Sequence, residues 1–253
     1  MEQKPNNVLC IVQARMGSTR LPGKVLKEVG GVPLLSNELL RLRLAKTLGK
    51  IVVATGSNPE NDAIEALCNK IGVDCFRGSE EDVLKRFASC VEAYPEYDTV
   101  VRITGDCPLI DSKIVDKTVT FFSSGGFAYA SNVAPATFPD GMDVEVFSRS
   151  VLLQTEKEAL RPSEREHVTL YIRENGKFKT GNLANEKEYS AVRLTVDNQE
   201  DFEVISFLIE NSRPDASFEE YISLLEKHPE IAKKNQHIER SEGLKKSLAE
   251  DKE

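Results

Sequence analysis

Three cations, Arg15, Arg20 and Lys24, share the stretch Gln13-Ala-Arg-Met-Gly-Ser-Thr-Arg-Leu-Pro-Gly-Lys24, directly after a short apolar run, Val8–Gln13. Woven among them are Gly17, Ser18, Thr19 and Gly23. Glycines let backbone approach a ligand, hydroxyls and amides donate hydrogen bonds, and cations neutralise phosphate charge. Together they form a loop suited to a triphosphate at the end of a strand. The loop is not of the G-x-x-x-x-G-K-[S/T] type, because Gly23-Lys24 is followed by Val25, and no G-x-G-x-x-G is present. A merely solvated basic loop would explain the charges but not the four small residues between them.

Carboxylates follow two later apolar runs. Ile103-Thr-Gly-Asp-Cys-Pro-Leu109 presents Asp106, and Arg193-Leu-Thr-Val-Asp-Asn198 presents Asp197. A carboxylate at a strand's end beside a triphosphate loop is a natural magnesium ligand, although Gly-Asp is also an ordinary turn pair. Two metals held this way would clamp the entering and leaving oxygens at phosphorus. Glu200 and Asp201 read as first-turn residues of the next helix, favourable to its dipole. Asp143 and Glu145 alternate with Val144 and Val146, so both project to one face of a strand. That face is either simply exposed or a carboxylate pair near acceptor or metal. His167 sits in a helical stretch with Val168, Leu170 and Tyr171; its pKa suits acid–base work, and a structural role is the bland alternative. His228 and His237 read as solvated, and Phe121, Phe122, Phe127 and Phe138 as packing.

Elements must bring these residues together. Strands are expected at Val8–Gln13, Ile51–Ala54, Val73–Phe76 and Thr99–Thr104. They alternate with helices opened by Pro33 and by Asn58-Pro59, and with helices over Glu80–Tyr94 and Ser112–Phe122. Such alternation predicts an α/β fold: a mostly parallel sheet flanked by helices, with ligands collecting at the strands' carboxyl ends. The second half is less regular. Strands are expected at Ala128–Ser131, Asp143–Phe147, Lys179–Leu183 and Ala191–Val196, and helices at Ser148–Leu160, Glu164–Glu174, Gln199–Glu210 and Phe218–Lys227. Residues 1–227 read as one domain, and residues 228–253 as a charged tail, helical and fraying into disorder.

The chain has 253 residues with a formal net charge of −8, which argues against a nucleic-acid binder relying on a basic face. No apolar run is long enough to span a bilayer and Met1–Asn7 is polar, so no membrane association and a cytoplasmic setting are expected. Five cysteines (Cys10, Cys68, Cys75, Cys90, Cys107) without a C-x-x-C pair imply reduced, buried hydrophobes rather than a disulfide framework or zinc site. Cys107 follows Asp106, but a nucleophilic role would need a base that is not evident.

The loop Gln13–Lys24 resembles the nucleotide-binding loop of the cytidylyltransferases that make CMP-activated acidic sugars, the CMP-Kdo and acylneuraminate synthetases. The closer likeness is to their spore-coat polysaccharide biosynthesis F-type relatives, whose Q-A-R-x-x-S-x-R-L-P-x-K signature is reproduced. It continues through Arg77–Leu84, Thr104–Leu109, Tyr129–Asn132, Asp140–Glu145, Glu166–Thr169 and Leu194–Asp197, covering the chain to about Glu210. The resemblance implies a nucleotide-diphosphosugar-transferase (glycosyltransferase A-type) fold, CTP and magnesium (Mg2+), and transfer of CMP with release of pyrophosphate. The acceptor would be an acidic sugar or a phosphorylated small molecule in surface polysaccharide precursor synthesis, and the assembly a homodimer. By position, Gln13, Ala14, Arg15, Arg20 and Lys24 would bind the nucleotide, with Arg15, Lys24 and Asp106 catalytic. Gly78, Ser79 and Asp82 would read the base, Asp106 and Asp197 would bind metal, and Asn132, Asp143, Glu145 and His167 would face the acceptor. The second half is shorter than in the sugar-acid synthetases, with different acceptor segments. Two other readings compete: a glycosyltransferase of similar architecture, and a non-catalytic nucleotide-binding regulator. The first is disfavoured by Pro108 where such enzymes place the second Asp of an Asp-x-Asp, the second by retention of both Asp106 and Asp197.

Overall fold

The computed structural model describes residues 7–240 and 242–251. Its strands are β1 (Val8–Gln13), β2 (Glu28–Val29), β3 (Val32–Pro33), β4 (Lys50–Gly56), β5 (Asp74–Gly78), β6 (Thr99–Thr104), β7 (Tyr129–Ser131), β8 (Glu145–Ser148) and β9 (Thr180–Asn182). The helices of the first half are α1 (Leu34–Leu42), α2 (Asp62–Ile71), α3 (Val83–Ala93) and α4 (Ser112–Gly125). Then come α5 (Arg149–Glu158), α6 (Pro162–Glu166), α7 (Leu170–Glu174), α8 (Gln199–Glu210), α9 (Phe218–Lys227), α10 (Pro229–Ala232) and α11 (Glu242–Glu250).

Seven strands form one sheet in the order β5-β4-β1-β6-β8-β7-β9, while β2 and β3 make a separate two-stranded hairpin. The strands β5, β4, β1 and β6 run parallel, β8 is antiparallel to both β6 and β7, and β9 is parallel to β7. The sheet is thus mostly parallel and flanked by helices. Alternation along β1 divides the core: Val8, Cys10 and Val12 pack on one face with α1, α4, α8 and α9, while Leu9 and Ile11 pack on the other with α3 and α5. All five cysteines are free, and all but Cys75 are buried. Among the described residues no helix is long and apolar enough to cross a membrane.

Three departures from the sequence reading bear on the site. The stretch expected as one helix, Glu164–Glu174, is two short helices broken at Val168, whose φ of 56° is unusual for a β-branched residue. Ala191–Val196 is extended but joins no sheet; a single bridge pairs Arg193 with Asp140. That pairing needs Gly141, with φ 95°, because a Cβ there would lie 2.6 Å from the Leu194 carbonyl. Finally, residues 229–240 and 242–251 do not fray away. Asn235 is buried, donating to the Arg193 carbonyl and to Asp201, and Asp251 accepts from the Ser163 backbone. Polar anchors rather than apolar periodicity hold this segment, so its sparse Ile231, Ile238 and Leu244 carried no signal.

The carboxyl edge of β6 is tied to the second half by buried Arg41 on α1. It donates to the carbonyls of Ile110, Pro214 and Ala216 at 2.8, 2.6 and 2.6 Å, and its guanidinium lies 5.4 Å from the Tyr221 ring centre. Arg41→Met keeps much of the volume but strands three carbonyls. The expected loss is about 3 kcal/mol, counting roughly 1 kcal/mol for each unmet acceptor. Thermal unfolding should show this as a fall in Tm of about 10 °C; a change within about 2 °C would show that the three bonds are not structural.

Candidate active site

Three backbone segments meet at the carboxyl edge of β1 and β6. After β1, the Met16 N–H donates to Asn61 Oδ1 at 2.9 Å, and the Gly23 N–H donates to the Met16 carbonyl at 3.2 Å, folding the loop back toward the sheet. Gly23, with φ 65°, then starts the single 3-10 turn Lys24–Leu26. After β6, the Gly105 N–H donates to the Gln13 carbonyl at 2.8 Å. A Cβ at Gly105 would lie 2.9 Å from that of Ala14, so only glycine lets the two loops come this close. The third segment is hung on the second: the Val196 N–H and Thr195 hydroxyl both donate to the Asp106 carbonyl, at 2.9 and 3.0 Å.

The result is a charge cluster. Lys24 Nζ donates to Asp106 Oδ2 at 2.8 Å and to Asp197 Oδ1 at 2.7 Å. Arg20 reaches Asp197 at 3.0 Å, and Arg193 bridges Asp197, Asp140 and the fully buried Asp201 at 2.8–3.0 Å. Burial disfavours the Lys24 ammonium, but the two carboxylates outweigh it and raise its pKa. Burial likewise opposes the Asp197 carboxylate, yet Lys24, Arg20 and Arg193 pull it down to about 2. Behind the cluster, Glu38 on α1 is fully buried with neither carboxyl oxygen hydrogen-bonded. Its pKa is pushed well up, by burial first and then by Asp106.

A cleft of about 300 Å³ opens beside the cluster. Of the residues expected at the site, Arg20, Asp106, Asp143, Glu145, His167 and Asp197 line it. Glu145 is held by Arg102, by Tyr129 Oη at 2.6 Å and by Thr169 Oγ1 at 2.5 Å. Burial opposes its charge, but Arg102 and Arg173 lead a set that lowers its pKa. Burial lowers the pKa of His167, whose Nε2 lies 3.0 Å from Ser247 Oγ on α11. Asp143 pairs with Arg240, which also donates to the Phe138 carbonyl at 3.0 Å.

Other expected residues lie elsewhere. Asn132 does not face the cleft: it is fully buried, donating to the Met142 carbonyl and accepting from the Val144 N–H, and so fixes the register of the loop that carries Asp143. Gln13 accepts from Arg102 at 3.1 Å, Ala14 is buried, and Arg15 is exposed. Gly78 ends β5, and Ser79 Oγ accepts from the Asp82 N–H at 3.1 Å. Asp82 caps α3 through the Lys85 N–H at 2.9 Å, and its other oxygen takes Arg165 Nε at 2.7 Å. Asp201 is the first-turn residue expected, and it also anchors Arg193. Sequence reasoning missed Arg102, Asp140, Thr169, Arg173, Arg193 and Arg240 as cleft residues. Arg193 and Asp140 stood inside recognised motifs; Arg173 and Arg240 had no motif to mark them.

A cytidylyltransferase family model matches residues 9–242. The chain is 38% identical over 239 residues to the spore coat polysaccharide biosynthesis protein SpsF of Bacillus subtilis, covering 90% of this chain and 97% of that one. It is 34% identical over 121 residues to an 8-amino-3,8-dideoxy-manno-octulosonate cytidylyltransferase of Shewanella amazonensis, covering 46% and 47% of the two chains. The solved structure of a cytidylyltransferase from Leptospira borgpetersenii superposes with a TM-score of 0.86 at 38% identity, covering 92% of this chain and 99% of that one.

The cluster itself predicts an acid-side stability profile. A carboxyl lowered from 3.8 to about 2 contributes stability that is present above the higher value and lost as pH falls through the lower. Lys24→Met removes the chief attraction that lowers it. The stability advantage of the wild type over Lys24→Met, measured by urea unfolding, should therefore be largest near neutrality and shrink below about pH 4. An advantage that does not change between about pH 7 and pH 3 would remove Lys24 as the cause of the shift.

Proposed function

The chain belongs to the cytidylyltransferase family, and from that premise we propose that it transfers CMP from CTP to a small acidic acceptor, releasing pyrophosphate. The observation that carries the reading is Lys24 held between Asp106 and Asp197, each on a different backbone segment at one sheet edge. The acceptor we assign is an acidic sugar or phosphorylated small molecule for surface polysaccharide synthesis, in keeping with the names of the relatives. A cytoplasmic setting is part of the same proposal.

Magnesium fits the residues present. Two carboxylates already lie within hydrogen-bond reach of one cation, and magnesium takes one or two carboxylates plus substrate phosphates and water. Among the described residues no group of three or more His, Cys, Asp or Glu could hold a metal alone, which suits an ion completed by the nucleotide. Asp106 and Asp197 would hold the ion, which would supply charge neutralisation at the transferring phosphorus. Lys24 would face the triphosphate from this edge, with Arg20 and exposed Arg15 as further phosphate contacts. The base falls to the loop after β5. Asp82 spends both oxygens inside the fold, so it fixes the loop while Gly78 and Ser79 present backbone groups to cytosine. Across the cleft, Asp143, Glu145 and His167 face the acceptor; His167 can hold the acceptor hydroxyl's proton, and Glu145 is fixed as an acceptor of hydrogen bonds.

Pyrophosphate release should require CTP, a divalent ion and an acidic acceptor, with CTP exceeding UTP because the two pyrimidines present opposite donors and acceptors at the 4-position. Equal use of both nucleotides would sink the base assignment, and UDP-sugar hydrolysis without CTP turnover would favour a glycosyltransferase. Asp106→Asn and Asp197→Asn should each keep the fold and cost about 10²-fold or more in turnover. Because both act through one ion, the double variant should be much less impaired than the product of the single losses. Multiplicative losses would separate the two carboxylates.

A further inference from the structure

The chain after α10 forms a strap along the cleft that touches its functional groups in turn. Arg240 pairs with Asp143, Glu242 pairs with Arg20 at 3.0 Å, and Ser247 Oγ lies 3.0 Å from His167 Nε2. Ser247 also donates to Glu166 at 2.7 Å, and Asp251 accepts from the Ser163 N–H at 3.0 Å. What holds the strap is chiefly polar. In α11, Ser247 is the one buried residue among those described, and neither Leu244 nor Leu248 belongs to either apolar core. The side chains of Arg20 and Glu242 are 40% and 44% exposed, the range in which an ion pair contributes little. Four further charges pair within the strap, Glu239 with Lys245 and Lys246 with Glu250, so its departure would strand none of them. A segment with few buried apolar contacts opens at low cost.

We propose that Glu242 is an internal competitor of the triphosphate at Arg20, and that the strap carrying it leaves the cleft when a nucleotide binds, uncovering Asp143 and His167. This rests on the reading of Arg20 as a phosphate contact in the same cleft. Carboxylate and phosphate oxygens offer a guanidinium the same acceptor chemistry. A triphosphate brings several negative charges where Glu242 brings one, so it takes the guanidinium and repels both Glu242 and Glu239 in the same wall. The contacts then left to the strap are polar ones that water or substrate can replace. Until that exchange, one segment covers a phosphate contact and two groups of the acceptor end together.

The test is hydrogen exchange of the α11 amides in the wild type with CTP, inorganic tripolyphosphate or cytidine, each with a divalent ion. CTP and tripolyphosphate should speed exchange by at least about fivefold, and cytidine should leave it unchanged. In steady-state pyrophosphate release, E242Q should lower KM for CTP about threefold, the weight of one exposed ion pair, with kcat kept within about twofold. Exchange that is unchanged or slower with CTP and tripolyphosphate overturns the proposal, as does equal acceleration by cytidine. An unchanged or raised CTP KM in E242Q overturns it as well, the raised value marking the strap as part of the nucleotide's own site. The exchange measurement uses the wild type alone, so it decides even where E242Q fails to fold. A wild type that releases no pyrophosphate from CTP with any acceptor overturns the cytidylyltransferase reading, whereas faster exchange with tripolyphosphate would still uphold the strap.

Discussion

Two like charges cannot be held close in a partly buried site without a cation between them, and the Asp106–Lys24–Asp197 cluster is organised around that constraint. Lys24 is 12% exposed in its side chain, and Asp106 and Asp197 are 24% and 23% exposed. Water therefore screens them only in part. The sheet supplies Asp106, the glycine-containing loop supplies Lys24, and an extended segment pinned to the Asp106 carbonyl supplies Asp197. Each placement is secured by backbone bonds, so the charges do not have to hold the fold together.

Arg193 extends the same logic one layer back. It is 6% exposed and touches Asp140, Asp197 and Asp201, so one delocalised cation ties the loop after β7, the Asp197 segment and the start of α8. A lysine would carry the charge but not the planar fork that reaches three carboxylates. Asp201 is fully buried and accepts the Asp197 and Asn198 N–H groups, which closes the capping box at α8. A helix cap thereby orients a site residue.

How much of this could be read in the sequence follows from which physical signal each part leaves. Val8–Gln13, Thr99–Thr104, Gln199–Glu210 and Phe218–Lys227 were legible at their observed bounds, because apolar periodicity, capping residues and turns agree there. Asp106 and Asp197 were legible as partners, though for a partly different reason. Only Asp106 follows a sheet strand; Asp197 reaches the same place on a segment that pairs with the loop at Asp140. The break at Val168 left no trace, since Val-Thr-Leu-Tyr-Ile continues a plausible helical pattern and the bend is imposed by burial of Val168 and Thr169. Asn132 misled for the opposite reason. A polar residue within a shared motif suggests ligand contact, yet here its amide satisfies two buried backbone groups.

The C-terminal segment shows why charge-rich stretches resist sequence reading. Glu239, Arg240, Glu242, Gly243 and Leu244 form part of the cleft wall, with Arg240 on Asp143 and Glu242 on Arg20 at 3.0 Å. Ser247 joins Glu166 and His167, and Asp251 joins Ser163. None of these contacts depends on hydrophobic periodicity, so the segment looks unstructured by composition while being specific by pairing. The same pairing gives Arg20, Arg102, Arg193 and Arg240 a carboxylate each. Arg20 rests on Glu242 and Asp197, and a triphosphate engaging it would exchange one anion for another rather than fill an empty charge site. Arg173 stands outside that pairing: it shares the lining with Glu145, whose charge Arg102 already meets, and its own side chain has no carboxylate partner among the described residues.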